Sequence, residues 1–142
     1  MSMKAKAVLC AATAVAGLAL AAPQSSAATY PTTPFTVSYG ATYAQGTITW
    51  YGRSAGVSGS LRSLASSDCR SVYAWTTDKA ISEPPLGQGT SPEQCGDAIK
   101  PFSLVLPADV PGGAAYTWVC LAYGNGVPIT PDSPGCKHYL HP

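Results

Sequence analysis

The chain has 142 residues, only 11% of them charged, and a formal net charge of +1. That length supports one domain with one core and leaves no room for two. Without a block of Lys or Arg, no bulk field draws the chain to nucleic acid or to an anionic membrane.

Residues 1–27 have the layout of a secretory signal peptide. Lys4 and Lys6 form a positive start, Ala7 to Ala22 is an apolar run, and Ser25-Ser26-Ala27 supplies the small residues that precede cleavage. A retained membrane anchor is disfavoured, because the apolar run falls short of the ~20 residues a spanning helix needs and ends at Pro23. Cys10 lies early in the run behind Leu9, which does not suit a lipid-anchored protein. The expected mature protein, 28–142, is a single secreted β-domain that is extracellular and free of the membrane. It keeps six basic and seven acidic residues, a net charge of about −1.

Ala28 to Pro34 is a Thr/Pro-rich lead-in, and Phe35 to Tyr39 a first short strand with Phe35, Val37 and Tyr39 on one face. Gly40 to Gln45 turns the chain into its organising stretch, Gly46 to Leu64. There Ile48 and Trp50 point one way and Thr47, Thr49 and Tyr51 the other. After a turn at Gly52-Arg53-Ser54, Ala55, Val57, Gly59 and Leu61 share a face against Ser54, Ser58, Ser60 and Arg62. Such alternation marks half-buried strands, since successive side chains leave opposite sides of the pleat. A helix is a poor alternative here, since glycines, one of them at Gly59 mid-run, would cost roughly 1 kcal/mol each in a helix interior.

Ser66-Ser67-Asp68 is a turn. Cys69 to Thr76 is the next strand, with Tyr73 and Trp75 on one side and Val72 and Ala74 on the other. Thr77 to Lys100 carries Pro84-Pro85, Gly87, Gly89, Pro92 and Gly96, and is predicted as a loop with at most a short extended piece. Phe102 to Leu106 is a strand, Ala108 to Gly113 a turn, and Ala114 to Tyr123 the longest strand, apolar on both faces and therefore central. Gly124 to Gly135 is a loop, and His138 to Pro142 a tail or edge strand. The resulting class is all-β: an antiparallel β-sandwich or small Greek-key barrel of six to eight short strands.

Four cysteines remain in the mature chain, Cys69, Cys95, Cys120 and Cys136, an even number that suits two disulfides in an oxidising compartment. Of three possible pairings the favoured one is Cys69–Cys95 with Cys120–Cys136, linking sequence neighbours and contributing roughly 3–4 kcal/mol each. No two cysteines show C-x-x-C spacing, so no zinc site or other metal is expected, and no cofactor.

The succession of a signal peptide, Gly46-Thr47-Ile48-Thr49-Trp50-Tyr51, Arg53-Ser54, Val57-Ser58-Gly59-Ser60-Leu61, Cys69-Arg70 and a late strand ending in Val119-Cys120 resembles small secreted β-sandwich-like proteins of uncharacterised role from actinobacteria. The likeness spans Gly46 to Cys136 and implies the fold alone.

No catalytic set is expected. His138 and His141 are three apart, with Asp132 upstream, but on a strand they would face opposite sides. No G-x-S-x-G elbow surrounds a serine, and the seven carboxylates lie in loops or at strand ends. The aromatics carry the functional expectation. Trp50, Trp118 and one of Tyr73 or Trp75 suffice to fill the core. Tyr51, Tyr73 and Trp75 are the candidate ligand-binding residues, toward an extracellular protein or polysaccharide. The alternative is an inhibitor of a secreted hydrolase, presenting Lys79-Ala80-Ile81 or Glu83-Pro84-Pro85-Leu86 from the Thr77–Lys100 loop.

Overall fold

The structure, a computed structural model, describes residues 27–64, 68–79, 84–129 and 134–142. The signal peptide expected at 1–27 therefore lies almost wholly outside the described residues, as do Ser66, Ser67 and Asp132. Eight strands follow in order: β1 (Thr32–Tyr39), β2 (Thr42–Tyr51), β3 (Ser54–Arg62), β4 (Arg70–Thr77), β5 (Gly87–Thr90), β6 (Ile99–Pro107), β7 (Tyr116–Tyr123) and β8 (Cys136–Leu140). They form two four-stranded antiparallel sheets, sheet I in the order β1-β2-β3-β6 and sheet II in the order β5-β4-β7-β8. The fold is the expected all-β sandwich, and among the described residues no helix is long and apolar enough to cross a membrane.

Period-two alternation sorts the side chains. Phe35, Val37, Ile48, Trp50, Val57, Leu61 and Leu106 of sheet I meet Val72, Ala74, Val119 and Leu121 of sheet II in one core. Tyr39, grouped by the pattern with Phe35 and Val37, is exposed, because it ends its strand at the hairpin. That hairpin is tighter than expected: Tyr39 pairs with Thr42, so the turn is Gly40-Ala41 alone and β2 has already begun within the predicted Gly40–Gln45 turn. Gly40 has a φ of 59°, which suits a glycine at the first central position of a two-residue hairpin loop.

Phe35, Gly46, Gly59 and Phe102 fall in one cross-strand row, and the two rings meet over the paired glycines at 6.3 Å between centroids. A Cβ on Gly46 would lie 2.6 Å from Gly59 Cα, and one on Gly59 would lie 2.8 Å from Gly46 Cα. No side chain fits at either position, and the space left is filled by phenylalanines from the two outer strands.

Both seams between the sheets are closed by hydrogen bonds. On one side the Thr76 hydroxyl donates to the Pro107 carbonyl at 2.7 Å, where β5 meets β6. On the other the Tyr139 hydroxyl accepts from Thr36 N at 3.2 Å and donates to Thr36 O at 3.3 Å. Both disulfides form as expected. Cys69–Cys95 ties the start of β4 to the segment after β5, beside the paired backbones of Arg70 and Gln94. Cys120–Cys136 joins directly opposed residues of β7 and β8.

Within the Thr77–Lys100 loop the short extended piece that the sequence allows is strand β5, Gly87–Thr90, paired to Tyr73–Thr76. The tail is the edge strand β8 and begins at Cys136.

Candidate functional site

Outward positions of sheet II include Gln88 and Thr90 on β5, Tyr73 and Trp75 on β4, Tyr116 and Trp118 on β7, and His138 and Leu140 on β8. Register aligns them: Gln88, Trp75, Trp118 and His138 form one row across all four strands, while Tyr116 and Leu140 form the next. The rings follow the row. Trp75 and Trp118 stack with centroids 5.1 Å apart and planes within 7° of parallel. Trp118 and His138 are 5.0 Å apart and tilted by 50°, and Tyr73 sits 5.3 Å from Trp75. These separations match the spacing between neighbouring strands, roughly 4.8 Å. Trp75, Trp118 and His138 therefore stand on successive strands, each leaning on the next like plates in a rack, with Tyr73 beside Trp75 on β4. The ring faces are spent on one another, and the edges form a ridge toward solvent.

Polar groups trim the ridge. The Tyr73 hydroxyl donates to Gln88 Oε1 at 2.7 Å, which leaves the Gln88 amide N–H groups free. The Trp118 Nε1–H is buried and has no partner. No charged side chain occupies an outward position in either row, and Leu140, 61% exposed, extends the apolar surface.

Of the three residues expected to bind ligand, Tyr73 and Trp75 come together and Tyr51 does not join them. Tyr51 ends β2 on the outer face of sheet I, half-buried against Tyr30 at 4.7 Å with the rings at 72°. Trp118, expected in the core, is instead half-buried in the outer ridge, and Trp50 alone of the tryptophans fills the core. Its Nε1–H donates to Thr33 Oγ1 at 2.9 Å.

The histidines are separated by the strand, as the alternation requires. His138 packs on Trp118 outside, while His141 packs on Trp50 at 4.9 Å. Both are engaged by tryptophan rings, so neither belongs to a free tail. Glu93 and the Cys69 and Cys95 sulfurs lie within 4.8 Å of one another, but both sulfurs are used by the disulfide and are not thiolate ligands. Asp68 and Glu93 share a shallow depression with Arg70, which lies 5.2 Å over the Tyr123 ring. In the loop considered as inhibitor bait, Pro84 and Pro85 are exposed and Leu86 is half-buried against the core; Ala80, Ile81 and Glu83 lie outside the described residues.

No protein-family model matches the chain, and no match was found among the curated proteins or the solved structures.

Proposed function

We propose that the chain is a secreted, non-catalytic interaction protein, and that the outer face of sheet II holds its partner. The observation that supports this is the aromatic ridge itself. The solvent face of an antiparallel sheet usually carries polar residues, and here it carries Tyr73, Trp75, Tyr116, Trp118 and Leu140 without a charge among them. Aromatic residues supply large contact area at low entropic cost, and uncharged aromatic patches mark interaction surfaces.

Ring orientation favours a protein over a sugar as the occupant of this face. A sugar ring stacks on an aromatic face, and in this rack the faces of Trp75 and Trp118 cover each other. Ring edges are what remain, and these suit insertion between the side chains of a protein surface. Two disulfides agree with an extracellular setting, and the sequence resemblance to small secreted proteins points the same way.

The test uses the mature chain immobilised through its N-terminus against the producer's culture fluid. A protein retained by the wild type and released by Trp75→Ser with Tyr73→Ser, in a variant whose circular dichroism is unchanged, is the expected result. Retention unaffected by that double change would remove the ridge from the binding site. A retained hydrolase that loses activity on binding, with inhibition abolished by changes at Pro84 and Pro85, would favour the inhibitor alternative.

A further inference from the structure

We propose that a cleft at the end of the sandwich where β3 finishes and β6 begins is a second site, independent of the ridge, and that it takes a small monocarboxylic acid with an apolar body. The cleft exists because β5 is short. The last inward row of sheet I there sets Leu61 of β3 opposite Lys100 of β6. β5 ends at Thr90, and the segment 92–94 faces this row instead of a strand. Between them lies a cleft of about 180 Å³, with Leu61, Phe102, Pro92 and Pro101 as apolar walls and Gln94 and Lys100 as its polar groups. At ~30 Å³ per water it has room for about six waters. That is the size of one ring with short arms, and too small for a polymer strand or a helix.

Two side chains point to a ligand. Gln94 is only 5% exposed and is rigidly held. Its backbone pairs with Arg70 in both directions, at 2.6 and 2.8 Å, beside the Cys69–Cys95 disulfide. Its Nε2 donates to the Cys95 carbonyl at 2.8 Å and to the Ala98 carbonyl at 3.2 Å, which uses both amide hydrogens and fixes which end of the amide is oxygen. Among the described residues nothing donates to Oε1, yet that atom is not sealed from solvent, so a buried, preorganised acceptor is left for a donor in the cleft. Lys100 is the second. The strands of sheet I carry two charged residues; Arg62 takes an outward position and Lys100 an inward one. Among the described residues no carboxylate pairs with Lys100. Glu93 borders the cleft, but its carboxylate turns away, against Gly124 and the Cys69 and Cys95 sulfurs.

These groups select the ligand. A carboxylate gives the Lys100 ammonium a charge-assisted partner, which a cation or an uncharged group does not. One ammonium balances one negative charge, so a dianion would leave charge uncompensated beside an apolar wall. The body must be apolar to displace water from Leu61 and Phe102. It must also carry one N–H or O–H, because a ligand without it would desolvate Gln94 Oε1 and return nothing.

The test titrates the isotope-labelled mature chain with 4-hydroxyphenylacetate, a single ring bearing one carboxylate and one hydroxyl, and follows the backbone amide resonances. The expected result is a saturable shift at Leu61, Gln94, Lys100 and Phe102, with a dissociation constant of about 1 mM or tighter. The methyl ester, which lacks the charge, and phenylacetate, which lacks the donor, should each bind at least about fivefold more weakly. Lys100→Met should weaken binding of 4-hydroxyphenylacetate at least about tenfold. Lys100→Arg should keep most of it, and Trp75→Ser should leave it unchanged, which separates this cleft from the ridge. Lys100 is exposed, so these changes leave the fold intact. No saturable shift, a methyl ester or phenylacetate that binds as tightly as 4-hydroxyphenylacetate, or wild-type affinity in Lys100→Met would each overturn the proposal.

Discussion

The two outer faces of this sandwich are built by the same alternation on similar strands, yet they solve different problems. Sheet II spends its aromatic rings on one another, Trp75 on Trp118 and Trp118 on His138, and turns their edges to solvent. Sheet I sets Ser, Thr and Gln outward on its middle strands, with the exposed Val105 and Ile99 on β6, and holds Tyr51 across Gly56. The contrast teaches that an exposed aromatic residue is not by itself a sugar platform. What matters is whether a neighbouring ring already occupies its face.

The surest way to break the contrast is to force apart the paired glycines inside sheet I. Gly46→Val or Gly59→Val places side-chain atoms where the neighbouring backbone already stands. Either should destabilise by more than about 3 kcal/mol, read as a drop in the urea midpoint. The outward-facing Gly56→Ala should be far milder, since it meets the end of a tyrosine side chain rather than backbone. On sheet II, replacing Cys120 and Cys136 together by Ala removes the tie between β7 and β8, at a cost of about 3 kcal/mol. The same pair of changes should loosen His138 from Trp118, seen as altered tryptophan fluorescence.

A finer comparison sets one residue of each face side by side. Trp118→Ala should cost about 2 kcal/mol in chemical denaturation, because a half-buried ring loses a stacking neighbour on either side. Thr47→Ala, an unpartnered outward hydroxyl, should stay within about 0.5 kcal/mol. Equal costs would mean that the ridge does not act as a stack.

The smallest effect belongs to the seam that joins the sheets. Burial holds the Tyr139 hydroxyl above the usual phenol range, offset in part by its hydrogen bond with the Thr36 backbone. The fold thus prefers the neutral phenol. Its stabilisation is fully present below the unfolded-state pKa near 10 and is lost as pH rises through the folded value. Tyr139→Phe should flatten that alkaline decline in a pH series of thermal midpoints without changing either outer face.

Much of the fold can be read from period two alone. Ile48 and Trp50 inward, Val57 and Leu61 inward, and Val72 and Ala74 against Tyr73 and Trp75 all follow from alternation in the chain. The position and pairing of the short strand Gly87–Thr90, allowed for only as an extended piece somewhere in its loop, escape such a reading, because Gly-Gln-Gly-Thr has no apolar face to announce it and is held by backbone pairing to β4. The aromatic ridge escapes for another reason. Nothing local says that β4 and β7 are neighbours in sheet II while β2 lies in sheet I, so Tyr51 could not be separated from Tyr73 and Trp75. One part of the ridge did leave a trace. If Cys120 and Cys136 are directly opposed in an antiparallel pair, then two residues toward the start of β7 and two along β8 must face each other, and these are Trp118 and His138.

The central claim is that sheet II meets a protein partner through its ridge. Hydroxyl-radical footprinting of the mature chain, alone and after saturation with the protein retained from culture fluid, tests it most directly. Protection of Tyr73, Trp75 and Trp118, with Tyr30 and Tyr51 oxidised as before, is the predicted result. Protection of Tyr30 and Tyr51 with the ridge still reactive would contradict it and place the partner on the opposite face.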